Sequence, residues 1–455
     1  MSSRRRVVVI GGGLAGIVAA LDCADAGASV TLVEVRRRLG GAAYSFERDG
    51  LEMDNGQHVF LRCCGAYRAL LRRLGSEHLV AVQARLEIPV LKPGRAPTIL
   101  RRSSLPAPLQ LAQALARYPH LSTRQRLGAA RAALALMRMD PADASLERVT
   151  FGDWLERHGQ DADAVSALWD LIALPTLNLP AAQASLALAA FVFRTGLLSA
   201  SDAGDVGFHV GTLAEIIAVP ARRVLNEAGV EIRLGWGAER IERTAGGFEV
   251  HARGALEGLD AEAVIVAVPH ARAASLLEGL LGDEASRLSA LGSSPIVNLH
   301  VLYDREVCSH RFAAGVGTPV QYLFDRSAAA GAPAGCQYLA VSLSGAEREM
   351  TMSVEQLRER YLPALQELLP RARRARVESF LVTREHAATF RATPGVSALR
   401  PDPRTSLPGL VLAGTWTNTG WPATLESAVI SGHAAAASAL RTVVLERRPT
   451  WGAAV

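Results

Sequence analysis

The sequence predicts an α/β fold in two parts: a Rossmann-like dinucleotide-binding domain and a discontinuous α+β substrate-binding domain. Three observations carry this. Apolar residues 7–10 read as a buried strand, Gly11-Gly12-Gly13-Leu14-Ala15-Gly16 as a tight turn, and the alanine-rich run to Gly27 as a helix. A second strand, 29–33, stops at Glu34, about twenty residues beyond Gly13, where such domains place an acid for a ribose. Late in the chain, residues 410–414 and the helix after Pro422 repeat the order of strand, glycine and helix.

Each part of the opening has a physical task. Gly11 permits the tight turn, Gly13 lets the main chain approach a pyrophosphate, and Gly16 lets helix and strand pack closely. At the helix start, the N–H groups of Leu14 and Ala15 are offered to phosphate. Glu34 would accept hydrogen bonds from ribose hydroxyls. The next residues are Val35-Arg36-Arg37-Arg38-Leu39-Gly40-Gly41. Arg36 or Arg38 can meet phosphate with a planar fork of donors, while Gly40 and Gly41 let the backbone pass beside a cofactor.

Residues 61–204 read as mostly helical, broken at Pro106, Pro108, Pro119 and Pro141, with a helix start at Thr150. Residues 171–193 carry no charge, but Pro175, Pro180, Asn178 and Gln183 would break a spanning helix, so they read as an apolar wall of the substrate domain. Arg124, Arg131 and Arg138 recur every seven residues on one side of a helix, which reads as a solvated face. A helix after Gly211, a strand at 229–234, a hairpin turning through Gly246-Gly247 and a buried strand ended by Pro269 return the chain to the first domain. The expected division is 1–60, 205–270 and 385–445 for the cofactor domain, 61–204 and 271–384 for the substrate domain, and 446–455 as a tail.

At 455 residues and 49% hydrophobic content, the chain can bury large cores. Its net charge of +5 and 5% aromatic content give no case for nucleic acid. They leave room for weak attraction to an anionic membrane. Cys23, Cys63, Cys64, Cys308 and Cys336 show no C-x-x-C spacing, which suggests a reducing compartment and no metal site. Ser3-Arg4-Arg5-Arg6 superficially suggests an export signal, but the apolar residues that follow belong to the cofactor strand; a cytoplasmic location is expected. His209, isolated before the Gly211 helix, reads as a satisfied core histidine.

The run from Glu34 to Gly41 resembles the extended signature of flavoproteins of the amine oxidase and carotenoid desaturase superfamily, with Ala42 where that family usually continues with arginine. Residues 412–429 resemble its final motif, with Thr415 in place of the usual acid. Within the superfamily, Asp54-Asn55-Gly56-Gln57-His58, Leu174-Pro175-Thr176-Leu177-Asn178 and residues 419–426 are similar to stretches of the hydroxysqualene dehydroxylases. The resemblance runs nearly end to end.

It implies noncovalently bound FAD, with Asn55, Gly56, Val230, Gly414, Thr415, Ala423, Thr424 and Leu425 beside it. It also implies reductive removal of the hydroxyl of hydroxysqualene, in bacterial squalene and hopanoid synthesis. Asp54, His58 and Glu426 are the candidate proton donors. Squalene-pathway prenyl synthases are candidate partners, as is a membrane surface reached through an arginine-rimmed apolar entrance. Three other readings stay open: a carotenoid or phytoene desaturase, an amine oxidase, and a non-catalytic flavin or isoprenoid binder. An amine oxidase would show an aromatic pair and a flavin-facing lysine. Here Trp421 supplies one ring, Thr424 falls where the second belongs, and the only lysine, Lys92, lies in a Lys-Pro-Gly loop.

Overall fold

The computed structural model describes residues 5–254 and 257–446. The tail beyond 446 and the first four residues, including part of the arginine run, lie outside the described residues. Five parallel strands form the first sheet, in the order Glu231–Leu234, Ser29–Glu34, Arg6–Ile10, Ala263–Val266 and Leu410–Leu412. Residues 7–10, 263–266 and 410–412 are apolar because both faces are covered, whereas the edge strand Glu231–Leu234 carries Glu231 and Arg233. Val7, Val9, Ile265 and Val411 face a core shared with helices Leu14–Asp25 and Val219–Glu227. Val8, Ile10, Val264 and Val266 face a second core, shared with the antiparallel ribbon Ala238–Thr244, Gly247–Ala252 and Leu259–Ala261. Because the strands are parallel, all five carboxyl ends emerge at one edge, where α/β sheets bind ligands.

The second sheet has seven strands, in the order Val377–Phe390, Ser293–Tyr303, Gln337–Ser344, Tyr322–Asp325, Phe312–Gly315, Glu87–Leu91 and Thr98–Arg101. Two of them lie within the stretch read as mostly helical. Ile88 and Val90 alternate as a strand requires, but Pro89 and the Lys-Pro-Gly turn masked a signal only five residues long. Val377–Phe390 pairs with Ser293–Tyr303 along its length, with an irregularity between Glu385 and Thr389, so one strand continues past residue 385.

Helices cover this sheet beside the cofactor edge. Ser122 and Gln125 form a capping box at the start of Thr123–Arg138, and the Thr150 hydroxyl accepts the Asp153 N–H at the start of Phe151–Arg157. The uncharged stretch forms two buried helices, Asp170–Leu177 and Leu186–Phe193. The break falls at Asn178, which takes a left-handed backbone at φ +52°. Its side chain donates to Ser294 O and Thr389 Oγ1 and accepts from Gly345 N–H, pinning the helical layer to the second sheet.

Candidate functional site

The opening turn is tight enough to dictate its own glycines. Gly11 has φ +112°, and a Cβ on Gly16 would lie 1.9 Å from the Gly11 carbonyl oxygen. Gly13 differs. Its φ is −76°, and a Cβ there would meet nothing nearer than Gly41 Cα at 3.7 Å, so the space above it is open. Gly40 N–H donates to Gly12 O at 2.9 Å, which lays the second glycine pair along the first turn. Helix Leu14–Asp25 has no side-chain cap, so its leading N–H groups, among them those of Leu14 and Ala15, are the donors this edge offers an anion.

Glu34 is buried. Its carboxylate accepts Gly12 N–H and Arg36 N–H, both at 2.7 Å. A carboxylate has about four lone-pair sites, so two remain for ribose hydroxyls. The two arginines divide. Arg38 donates to Gly41 O and lies 3.6 Å over the Tyr44 ring, whereas Arg36 is exposed and its guanidinium takes no partner among the described residues. The structure does not bring Val230 to this edge. Strand Glu231–Leu234 runs parallel to Ser29–Glu34 with Leu234 opposite Glu34, so Val230, just before it, sits at the far end in the core. Gly235 and Trp236 reach the edge instead, donating to Arg36 O and Glu34 O. A glycine on either side of Trp236 was the available signal.

At the last strand, Gly414 has φ +140° and donates its N–H to Ser431 Oγ. The buried Arg400 gathers the following loop, donating to the carbonyls of Thr417 and Thr415 and to Thr419 Oγ1 while lying against Phe390. Burial lowers its pKa to about 10, which still leaves it charged at neutral pH. The sequence reading missed Arg400, which no motif marks. Thr424 accepts Ser427 N–H in the first turn of helix Leu425–Glu446, with Ala423 and Leu425 half-buried beside it. Thr415 is half-buried, and among the described residues its hydroxyl takes no protein partner. Trp421 meets Phe191 of the uncharged wall edge-on at 5.0 Å.

Residues 54–58 are held from two sides. Asp54 accepts from Ser45 Oγ, Leu213 N–H and the Arg326 guanidinium at 2.8 Å, and Arg326 also donates to the carbonyls of His209 and Gly211. Asn55 donates to Ala42 O and Glu385 Oε1 and accepts from Tyr44 N–H. Its carbonyl accepts from both Asn298 Nδ2 and Thr383 Oγ1 at 2.9 Å. Because the Thr383 hydroxyl donates there, His300 Nε2 donates to Thr383, and Tyr338 donates to His300 Nδ1. His58 shares a hydrogen bond between Nδ1 and Gly56 O, so that nitrogen carries the proton and Nε2 stays free. Burial lowers its pKa below the usual histidine value. Glu426 accepts Ala66 and Tyr67 N–H at the start of helix Gly65–Leu74.

His209 donates from Nδ1 to His58 O and accepts from Tyr67 OH. Burial lowers its pKa to about 3 and that of His300 to about 4.

A parallel sheet that presents a glycine turn, a ribose acid, a second glycine pair and a free helix start along one edge defines a dinucleotide-binding oxidoreductase. The open space over Gly13, the spare lone pairs of Glu34, the free Arg36 and the unpartnered Thr415 hydroxyl fit FAD. The chain belongs to the flavin containing amine oxidoreductase family, whose model matches residues 14–440, and it is an FAD-dependent oxidoreductase. A hydroxysqualene dehydroxylase from Rhodopseudomonas palustris is 31% identical to it, over 95% of this chain and 97% of that protein. The zeta-carotene desaturase of Zea mays is 24% identical, over 94% and 82%. Among solved structures, cyclohexylamine oxidase from Brevibacterium oxydans superposes with a TM-score of 0.73 at 20% identity, covering 98% of this chain and 100% of that one, a likeness of fold.

Two predictions follow from this geometry. Gly13→Val should fold and melt near the wild-type apoprotein while FAD per chain drops roughly tenfold or more, because its side chain fills only ligand space. Gly16→Ala should instead lower thermal stability, since its methyl meets a backbone carbonyl. Flavin absorbance of the supernatant after denaturation, with melting curves, separates the two. Equal flavin loading of Gly13→Val and wild type would contradict the assignment.

Stability should also fall in mild acid. His209 and His300 stay neutral when folded but bind protons near pH 6.5 when unfolded. Their contribution is therefore complete above pH 6.5 and declines below it, by roughly 1.4 kcal/mol per pH unit for each, towards about pH 4 for His300 and about pH 3 for His209. Urea midpoints at pH 7 and pH 5 check this; identical midpoints would count against it.

Proposed function

We propose that this protein is a hydroxysqualene dehydroxylase, reductively removing the hydroxyl of hydroxysqualene to give squalene and water in squalene and hopanoid biosynthesis. The supporting observation is the full-length similarity to a dehydroxylase at 31% identity, against 24% for a desaturase of the same superfamily. The uncharged wall that meets Trp421 suits a hydrocarbon substrate. Departure of an allylic hydroxyl needs a proton, and the cation left behind needs a hydride and no water.

Bound FAD, once reduced, supplies the hydride. The chain supplies dry walls and the proton. Both oxygens of Asp54 and both of Glu426 are already engaged as hydrogen-bond acceptors, so these carboxylates serve the scaffold in this reading. His58 has Nε2 to spare and, when protonated, donates from it. Its lowered pKa makes the protonated fraction shrink as pH rises through the acid range below pH 6.5, so the proton-dependent step slows with rising pH there. Water-insoluble substrate also favours collection from a bilayer, or directly from the prenyl synthases that make it. No helix among the described residues is long and apolar enough to cross a membrane.

The test is one anaerobic turnover. Enzyme whose flavin has been reduced should convert hydroxysqualene to squalene as the flavin reoxidises, and His58→Gln should slow this by roughly 10²-fold without loss of FAD. Oxidised enzyme should neither desaturate phytoene nor deaminate amines. If hydroxysqualene is untouched while a polyene gains double bonds, the desaturase reading replaces this one. Wild-type speed in His58→Gln would remove His58 as donor and leave the reaction standing.

A further inference from the structure

Helix Thr123–Arg138 presents to solvent a stripe that its arginines alone do not reveal. Arg124, Leu127, Arg131, Leu134 and Arg138 follow one another at alternating spacings of three and four, which places them in a single line along the helix. All five are exposed, Leu127 at 62% and Leu134 at 43% of their surface. The helix contains no acidic residue. Its other face is buried, Gly128 against residues 158–160 and Ala129, Ala132 and Leu136 in the core that includes helix Leu186–Phe193, so the outward stripe is not a core that lost its partner.

The neighbouring chain continues the pattern. Leu105 and Leu109 are 48% and 54% exposed, and they precede the short helix Ala112–Ala116 that packs on Thr123–Arg138. These four are the exposed leucines among the described residues, and all fall within 105–134. Beneath them the structure is mostly apolar, with the buried Gln110 donating to Leu197 O. Leu111 and Leu115 pack on a cluster containing Tyr118, Leu121 and Leu171, and helix Leu186–Phe193 carries the contact on to Trp421 of the cofactor motif.

We infer that residues 105–138 form the surface by which this protein rests on an anionic phospholipid bilayer. The leucines enter the headgroup boundary, and Arg124, Arg131 and Arg138 meet lipid phosphates. Alternation of large apolar and cationic side chains on one exposed line, with no acid among them, matches a negative surface that has an apolar interior. It does not match a solvated face, which has no use for the leucines. The placement rests on the proposed water-insoluble substrate only for its purpose; the binding itself does not depend on which reaction the protein catalyses.

Flotation of the FAD-loaded enzyme with phosphatidylglycerol-rich vesicles, and with pure phosphatidylcholine vesicles, at low and high salt, tests it. Binding should be strongest to anionic vesicles at low salt. The Arg124→Glu/Arg131→Glu/Arg138→Glu variant should bind roughly 100-fold or more weakly, at about 1 kcal/mol per basic residue near the surface. Leu127→Gln/Leu134→Gln should also weaken binding, and should lower the residual binding at high salt most. These side chains are exposed, so the variants should keep their FAD and melting temperature. With detergent-dispersed hydroxysqualene both variants should turn over at the wild-type rate, and with vesicle-borne substrate more slowly. Wild-type flotation by both variants, no flotation of the wild type in any condition, or a stripe-dependent dimer in light scattering would overturn the inference. Salt-sensitive flotation without dehydroxylation would leave the surface standing and remove only the reaction.

Discussion

Segment 54–58 is mostly buried, and a buried crossing is tolerable only if most polar groups on it are paired; among the described residues the Gln57 amide nitrogen is the exception. Three adjacent strands of the second sheet supply the partners: Asn298 from one, Thr383 and Glu385 from another, and Tyr338 through His300 from the third. From the other side Arg326 neutralises Asp54, and the backbone of His58 is tied to His209. Losing one partner would strand a buried donor or acceptor, at a cost of about 1–3 kcal/mol. The clamp therefore keeps the substrate sheet in fixed register with the cofactor edge, and it also decides which side chain of the segment is left free.

Conspicuous charges in this chain are mostly scaffold. Glu426 holds the start of one helix, Arg400 gathers three groups of the cofactor loop, and Arg38 lies on Tyr44. Among the described residues what remains available includes the guanidinium of Arg36, two lone pairs of Glu34, the Thr415 hydroxyl, Nε2 of His58 and the amide nitrogen of Gln57. A site that must bind a large anionic cofactor and, in the proposed function, hold dry walls for a hydrocarbon needs this economy, because each unpaired polar group in the wall would attract water. The wall meets the requirement by having no charge and by meeting the cofactor loop through rings, Phe191 on Trp421.

The helical layer shows how one stretch serves two surfaces. Helix Thr123–Arg138 turns small residues inward, Gly128 towards residues 158–160 and Ala129 and Ala132 into the core shared with the wall, and its exposed leucines and arginines outward. That division makes the outer leucines and arginines independent of folding, since nothing in the core depends on them.

By itself the sequence determined the cofactor edge. Glycine positions, the acid about twenty residues on and the second glycine pair are dictated by local sterics and helix ends, which act over a few residues and leave a pattern that can be read. The central strands of the parallel sheet were legible because burial on both faces makes residues 7–10 and 263–266 short apolar runs. Tertiary structure alone decided the roles of the polar residues. Whether Asp54, His58 or Glu426 is free depends on Arg326, Gly56 and the start of helix Gly65–Leu74, partners as far as 360 positions away in the chain. Val230 and Trp236 are separated only by which end of a parallel strand each occupies, and that direction is set by pairing with Ser29–Glu34. A hydrogen bond between distant residues leaves no periodicity in a single sequence, so its outcome appears only when the chain is folded.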